Sequence, residues 1–176
     1  MAGTDPVAPV WIAGYAPVTA DFNAGIQAPF NFLTTKIVFR ARMTTAVSLT
    51  AGGFTQIPYN SILEDPYGGW SSGSGTWTCP TGCGGWYSVT LTAWSNNPGT
   101  STDLLEAVLY LNGAIYAETT AEWGVNGHAS GTSGSVILSL YGGQDAISGY
   151  VYSSAAVSTP ITAGQYNTIE ATWISS

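Results

Sequence analysis

From Lys36 onward no apolar run lasts more than a few residues before glycine, proline, serine or asparagine interrupts it, and several runs alternate apolar with polar. A period of two belongs to a half-buried strand, because successive strand side chains point to opposite faces. The segment GWYSVTLTAW shows this best. It sets Trp86, Ser88, Thr90, Thr92 and Trp94 opposite Tyr87, Val89, Leu91 and Ala93. KIVFRAR likewise places Ile37, Phe39 and Ala41 on one face and Lys36, Val38, Arg40 and Arg42 on the other. LLEAVLYLNG and AIYAETTAEW flank Asn112-Gly113, the strongest short hairpin signal, since both residues tolerate the positive φ that a tight hairpin turn requires. TAVSLT, FTQIPYN, SGSGTWTCP, SVILSLYGG, ISGYVYSSAAV and YNTIEATWIS complete about nine or ten short strands, the pattern of an antiparallel sandwich or barrel. GVNGHASGTSGS reads as a loop inside the domain.

The first 35 residues differ. Pro6 and Pro9 keep the start extended. Thr19 can cap a short helix with Asp21 in its first turn, Phe22 and Ile26 on one face, and Pro29 as its stop. A helix of about ten residues cannot stand alone in water and needs a surface to dock on. The chain therefore divides into a docking arm over 1–35 and a β domain over 36–176, with Trp11, Phe22, Ile26, Phe30 and Phe32 as the arm's contact residues.

Charge narrows the partners. The only cations are Lys36, Arg40 and Arg42, while eight carboxylates and no Lys or Arg follow Met43. Nucleic-acid binding needs a broad basic surface to displace counterions, and anionic membranes need the same, so neither is expected. The three cations share one strand, read either as a solvated edge or as a contact with an acidic partner or neighbouring subunit. Confinement of every cation to one strand favours the contact. Only 7% of the 176 residues are charged against a usual value of about 25%, a composition suited to a domain packed against neighbours. No stretch approaches the roughly 20 apolar residues of a membrane span, and MAGTDPVAPV has no signal-peptide pattern.

Catalytic chemistry finds little support. His128 is the single histidine and sits in the Gly/Ser segment without a nucleophile motif, so a solvated loop residue is expected and no enzyme. Glu64-Asp65 reads as a turn before Pro66 rather than a glycosidase pair. No cofactor is expected. Calcium held by Glu64, Asp65, Asp103 and Asp145 is the alternative, although no calcium motif is present. Cys79 and Cys83, in CPTGC, are compatible with a disulfide across a tight turn or with two thiols at its ends. Aromatic platforms would suit a glycan. Trp77, Trp86 and Trp94 instead suggest core or interface, leaving Trp70 and Trp123 for exposed contacts.

The order FTQIPYNSILEDPYGGW, CPTGCGGWYSVTLTAW, AVLYLNG and GSVILSLYGGQDAISGYVY resembles the jelly roll shared by tumour necrosis factor and the globular heads of complement first-component subunits. Gly85, Tyr87, Asn112, Gly113, Gly143 and Asp145 occupy the corresponding places, while Trp86, Gln144 and the CPTGC turn depart from the family's pattern. The leader adds W-x-A-G, V-T-A-x-x-N and P-F-x-F-L, carried by Trp11, Ala13, Gly14, Val18, Thr19, Ala20, Asn23, Phe32 and Leu33. That order, with ILEDPYGGW, resembles tailed-bacteriophage structural proteins of this architecture, minor tail or virion proteins. The resemblance implies an all-β antiparallel jelly-roll sandwich that forms a homotrimer on a virion surface and contacts other virion proteins such as the major capsid protein; the missing signal-peptide pattern adds the expectation that it is made in the host cytoplasm. A short chain without a fibre stalk favours head decoration. The alternative is a minor tail module recognising a host surface glycan.

Overall fold

The computed structural model describes residues 38–95, 104–122, 130–154, 160–161 and 167–175. Among these residues the fold is all β, with thirteen strands and no helix. They are β1 (Val38–Arg42), β2 (Val47–Ser48), β3 (Gly53–Gln56), β4 (Ser61–Glu64), β5 (Trp70–Ser71), β6 (Thr76–Thr78), β7 (Gly85–Ser95), β8 (Leu104–Leu111), β9 (Ala114–Glu122), β10 (Ser130–Leu140), β11 (Ala146–Ser153), β12 (Pro160–Ile161) and β13 (Thr168–Ser175). The arm residues Trp11, Phe22, Ile26, Phe30 and Phe32, the Thr19–Pro29 helix, and Lys36, Asp103, Trp123 and His128 lie outside the described residues.

Two antiparallel sheets form a jelly-roll sandwich. The seven-stranded sheet runs β2-β12-β7-β13-β1-β4, with β10 along β7 as well; the five-stranded sheet runs β5-β6-β11-β8-β9. Successive long strands switch layers: β7 lies in the first sheet, β8 and β9 in the second, β10 in the first, β11 in the second and β13 in the first. Such switching makes a double-layer Greek key rather than a barrel.

The period-two pattern placed the core. Tyr87, Val89, Leu91 and Ala93 of β7 point inward with Ile169 and Ala171 of β13, against Leu105, Ala107 and Leu109 of β8 and Ile147 and Val151 of β11. Phe39 stacks between Trp70 and Trp77, each at 5.4 Å, and Trp77 meets Tyr87 edge-on at 5.8 Å. Burying a large apolar side chain stabilises by about 1.5–3 kcal/mol, so this aromatic cluster is a main anchor between the sheets. Trp70 is thus packed on the core, and the expectation of a freely exposed contact there does not hold.

Two further readings are corrected. Residues 130–135, expected in a loop, form the first half of β10, in register with β7 from Ser130↔Ser95 to Leu140↔Gly85. Glycine and serine hid the strand because their weak propensity masks the alternation. Thr132, Leu138 and Leu140 are nevertheless buried, while Gly131, Ser133, Ser135, Ile137 and Ser139 are exposed. Both glycines serve packing: a side chain on Gly131 would strike the Trp94 ring, and one on Gly134 would strike Thr119. Secondly, β1 is not an edge strand, because it lies between β13 and β4.

Candidate functional site

Three turns meet at one end of the sandwich and fix the ends of the strands. Asn112 and Gly113 both adopt positive φ, 53° and 80°, as the hairpin signal requires. The Asn112 side chain donates to Asp145 Oδ1 at 2.7 Å and accepts from the Ala146 amide at 2.9 Å. Asp145 Oδ2 accepts the Tyr141 amide at 2.7 Å, and the Gly143 amide donates to the Cys79 carbonyl at 2.6 Å. Sequence order gave no hint that Asn112 and Asp145 would be partners.

Cys79 and Cys83 are buried thiols beside this end. The Cys79 sulfur lies 3.3 Å from the Cys83 carbonyl oxygen and 3.7 Å from the Tyr87 hydroxyl, which itself donates to that carbonyl. Burial pushes the Cys79 thiol up to about 11; the Tyr87 hydrogen bond works against this, and Cys83 and Asp145 add to it. A protonated, covered thiol is a poor nucleophile. Ellman's reagent at mildly alkaline pH is therefore expected to label neither cysteine within minutes in native protein, and both in denaturant. Fast native labelling would contradict the burial, and no labelling in denaturant would mean a disulfide.

Three of the four candidate calcium ligands, Glu64, Asp65 and Asp145, are engaged separately. Asp65 accepts the Gly69 and Trp70 amides and the Trp77 indole N–H at 2.9–3.1 Å, closing its turn. Glu64 lies 3.8 Å from Arg40, and Asp145 is held as described. Among the described residues no three His, Cys, Asp or Glu side chains come together around a metal position.

The most distinctive surface is the outer face of the seven-stranded sheet. At one end stand Trp86 of β7, Ile137 of β10, Tyr141 just beyond it and Ile174 of β13, exposed by 48%, 61%, 69% and 48%. Register gathers them: Trp86 lies opposite Ser139 on one side and Ser175 on the other, and a bulge between Trp173 and Ser175 accompanies Ile174. Long side chains at diagonal positions on one sheet face reach each other. Farther along, the face turns to hydroxyls, with Thr90 to Ser135 at 2.7 Å and Thr92 to Thr168 at 2.8 Å. Toward β1 it carries an ion pair, Arg40 Nε to Glu170 at 2.9 Å, with Glu64 beyond. Arg42 bonds Ser61 at 3.4 Å. Arg40 thus meets acidic groups of its own chain, so its charge does not by itself call for an acidic partner. Sequence alternation had marked Trp86 as opposite the Tyr87 face, but not its grouping with Ile137 and Ile174.

No protein-family model and no curated protein matches the chain. Solved structures do. The Eiger tumour necrosis factor of S. frugiperda is 14% identical with a TM-score of 0.55, covering 80% of this chain and 93% of that one. The globular domain of zebrafish complement 1qA is 14% identical with a TM-score of 0.53, over 79% of this chain and 97% of that one. Murine APRIL is 9% identical with a TM-score of 0.57, over 80% of this chain and 100% of that one. Layer order, register and these neighbours agree: the chain has the jelly-roll fold of tumour necrosis factor and complement 1q globular domains.

Proposed function

We propose that the chain is a non-enzymatic structural component of a tailed-phage particle, a surface-exposed head decoration protein. It assembles as a trimer and attaches through an arm formed by residues 1–35. The observation that carries self-association is the apolar end of the seven-stranded sheet, where Trp86, Ile137, Tyr141 and Ile174 stand exposed together. Such clusters on a sheet face are what subunit contacts cover. The phage assignment rests on the ordered leader motifs between Trp11 and Leu33. In this reading the sandwich supplies the subunit contacts, and the arm's apolar residues complete contacts with the major capsid protein.

Removal of residues 1–33 is expected to leave a folded β domain, since the strands from Val38 to Ser175 bury a continuous apolar core between their two sheets. The truncated protein should fail to bind particles lacking the native protein, measured by co-sedimentation. Full occupancy by the truncated protein would end the arm hypothesis. Electron microscopy of gold-labelled protein on particles separates head from tail.

A further inference from the structure

The outer face of the other sheet carries a different chemistry. Val108 of β8 points to that face yet is fully buried. Register sets Tyr150 of β11 on one side of it and Glu118 of β9 on the other; Glu106 lies directly opposite Tyr152. Two carboxylates and two tyrosines therefore surround one covered valine. Tyr110 stacks on Tyr150 at 4.0 Å, and Phe54 closes the layer at 5.1 Å from Tyr152.

Electrostatics leave this group uncompensated. Partial burial, and then the Glu118 charge, hold the Glu106 carboxyl above its ordinary range. The Tyr110 hydroxyl is held above its own by burial first, then by Tyr150 and Glu118. Among the described residues the cations are Arg40 and Arg42, both on β1 of the opposite sheet. Among the described residues nothing positive on this face answers the two carboxylates.

We propose that the Tyr150–Val108–Glu118 row with Glu106 and Tyr152 is a docking site for a basic protein segment, one that places a lysine or arginine side chain between the two carboxylates and against the tyrosines. A cation relieves the mutual repulsion of Glu106 and Glu118 and is attracted by an aromatic face. A neutral sugar would add desolvation of both carboxylates without that gain. It also needs a broad free ring face, whereas Tyr110 and Tyr150 each give one face to the other. The site is independent of the apolar patch on the opposite layer and of the particle assignment.

The test is calorimetric titration of the full chain with hexalysine at physiological ionic strength, with a peptide acetylated at every lysine and a neutral oligosaccharide set as comparisons. Glu106→Gln with Glu118→Gln is expected to weaken hexalysine binding about tenfold, and Tyr150→Ala several-fold. Glu64→Gln, on the other sheet, should change it little, and the acetylated peptide should not bind. Equal loss in Glu64→Gln and the double variant would reduce the effect to net charge and overturn the site. So would unaltered binding by Tyr150→Ala, absence of hexalysine binding, or oligosaccharide binding that survives the double variant. Melting temperatures equal to the parent protein's show that the substitutions leave the fold intact.

Discussion

Replacing Trp86 and Ile137 together with aspartate is expected to give a folded monomer where the parent protein sediments as a trimer. Both side chains stand on the outer face and contribute little to the core, so the sandwich should keep its near-ultraviolet circular dichroism and cooperative melting. The interface should not survive. Removing a large apolar side chain from a buried contact forfeits about 1.5–3 kcal/mol. Threefold repetition multiplies that loss, and six carboxylates brought together would repel at short range. Analytical ultracentrifugation at micromolar concentration reads the result directly. A double variant that stays trimeric would place the subunit contact on another face, and a monomeric parent protein would remove self-association from the proposal.

Trp77→Ala should cost the isolated domain about 4 kcal/mol, a large part of the roughly 5–15 kcal/mol that holds a domain folded. The ring is 1% exposed, stacks on Phe39, meets Tyr87 edge-on, and donates its indole N–H to Asp65 at 3.1 Å. Truncation leaves a cavity between the sheets and removes one of the donors that keep the Asp65 turn closed. Trp77→Phe separates these effects. It keeps an aromatic ring against Phe39 and loses the N–H donor, for about 1–2 kcal/mol. Urea denaturation measures both. If alanine cost no more than phenylalanine, the ring would not be the anchor described.

Alternation made much of the architecture legible. Tyr87, Val89, Leu91 and Ala93 were assigned to one face by period alone, and all are core. Asn112-Gly113 announced a hairpin, and both residues have the required φ. What the chain concealed had two physical causes. In β10, glycines and serines lower strand propensity while permitting close approach by Trp94 and Thr119, so residues 130–135 read as a loop. Surface grouping was the second. Trp86, Ile137 and Ile174 are far apart in sequence, and Glu106 and Glu118 become neighbours of Tyr150 and Tyr152 only through register. Period assigns a side chain to a face, but register alone says who stands beside it.

The position of β13 governs when the larger sheet can close. Thr168–Ser175 lies between β7 and β1, pairing with both, so the segment made after every other described strand joins the two made well before it. Until it emerges from the ribosome, β1 and β7 each present an unsatisfied backbone edge to solvent. Sheets closed by such distant pairings fold slowly and are exposed to aggregation while they wait. Synthesis order, rather than local propensity, thus sets the earliest moment at which the folded domain and its apolar outer face are complete.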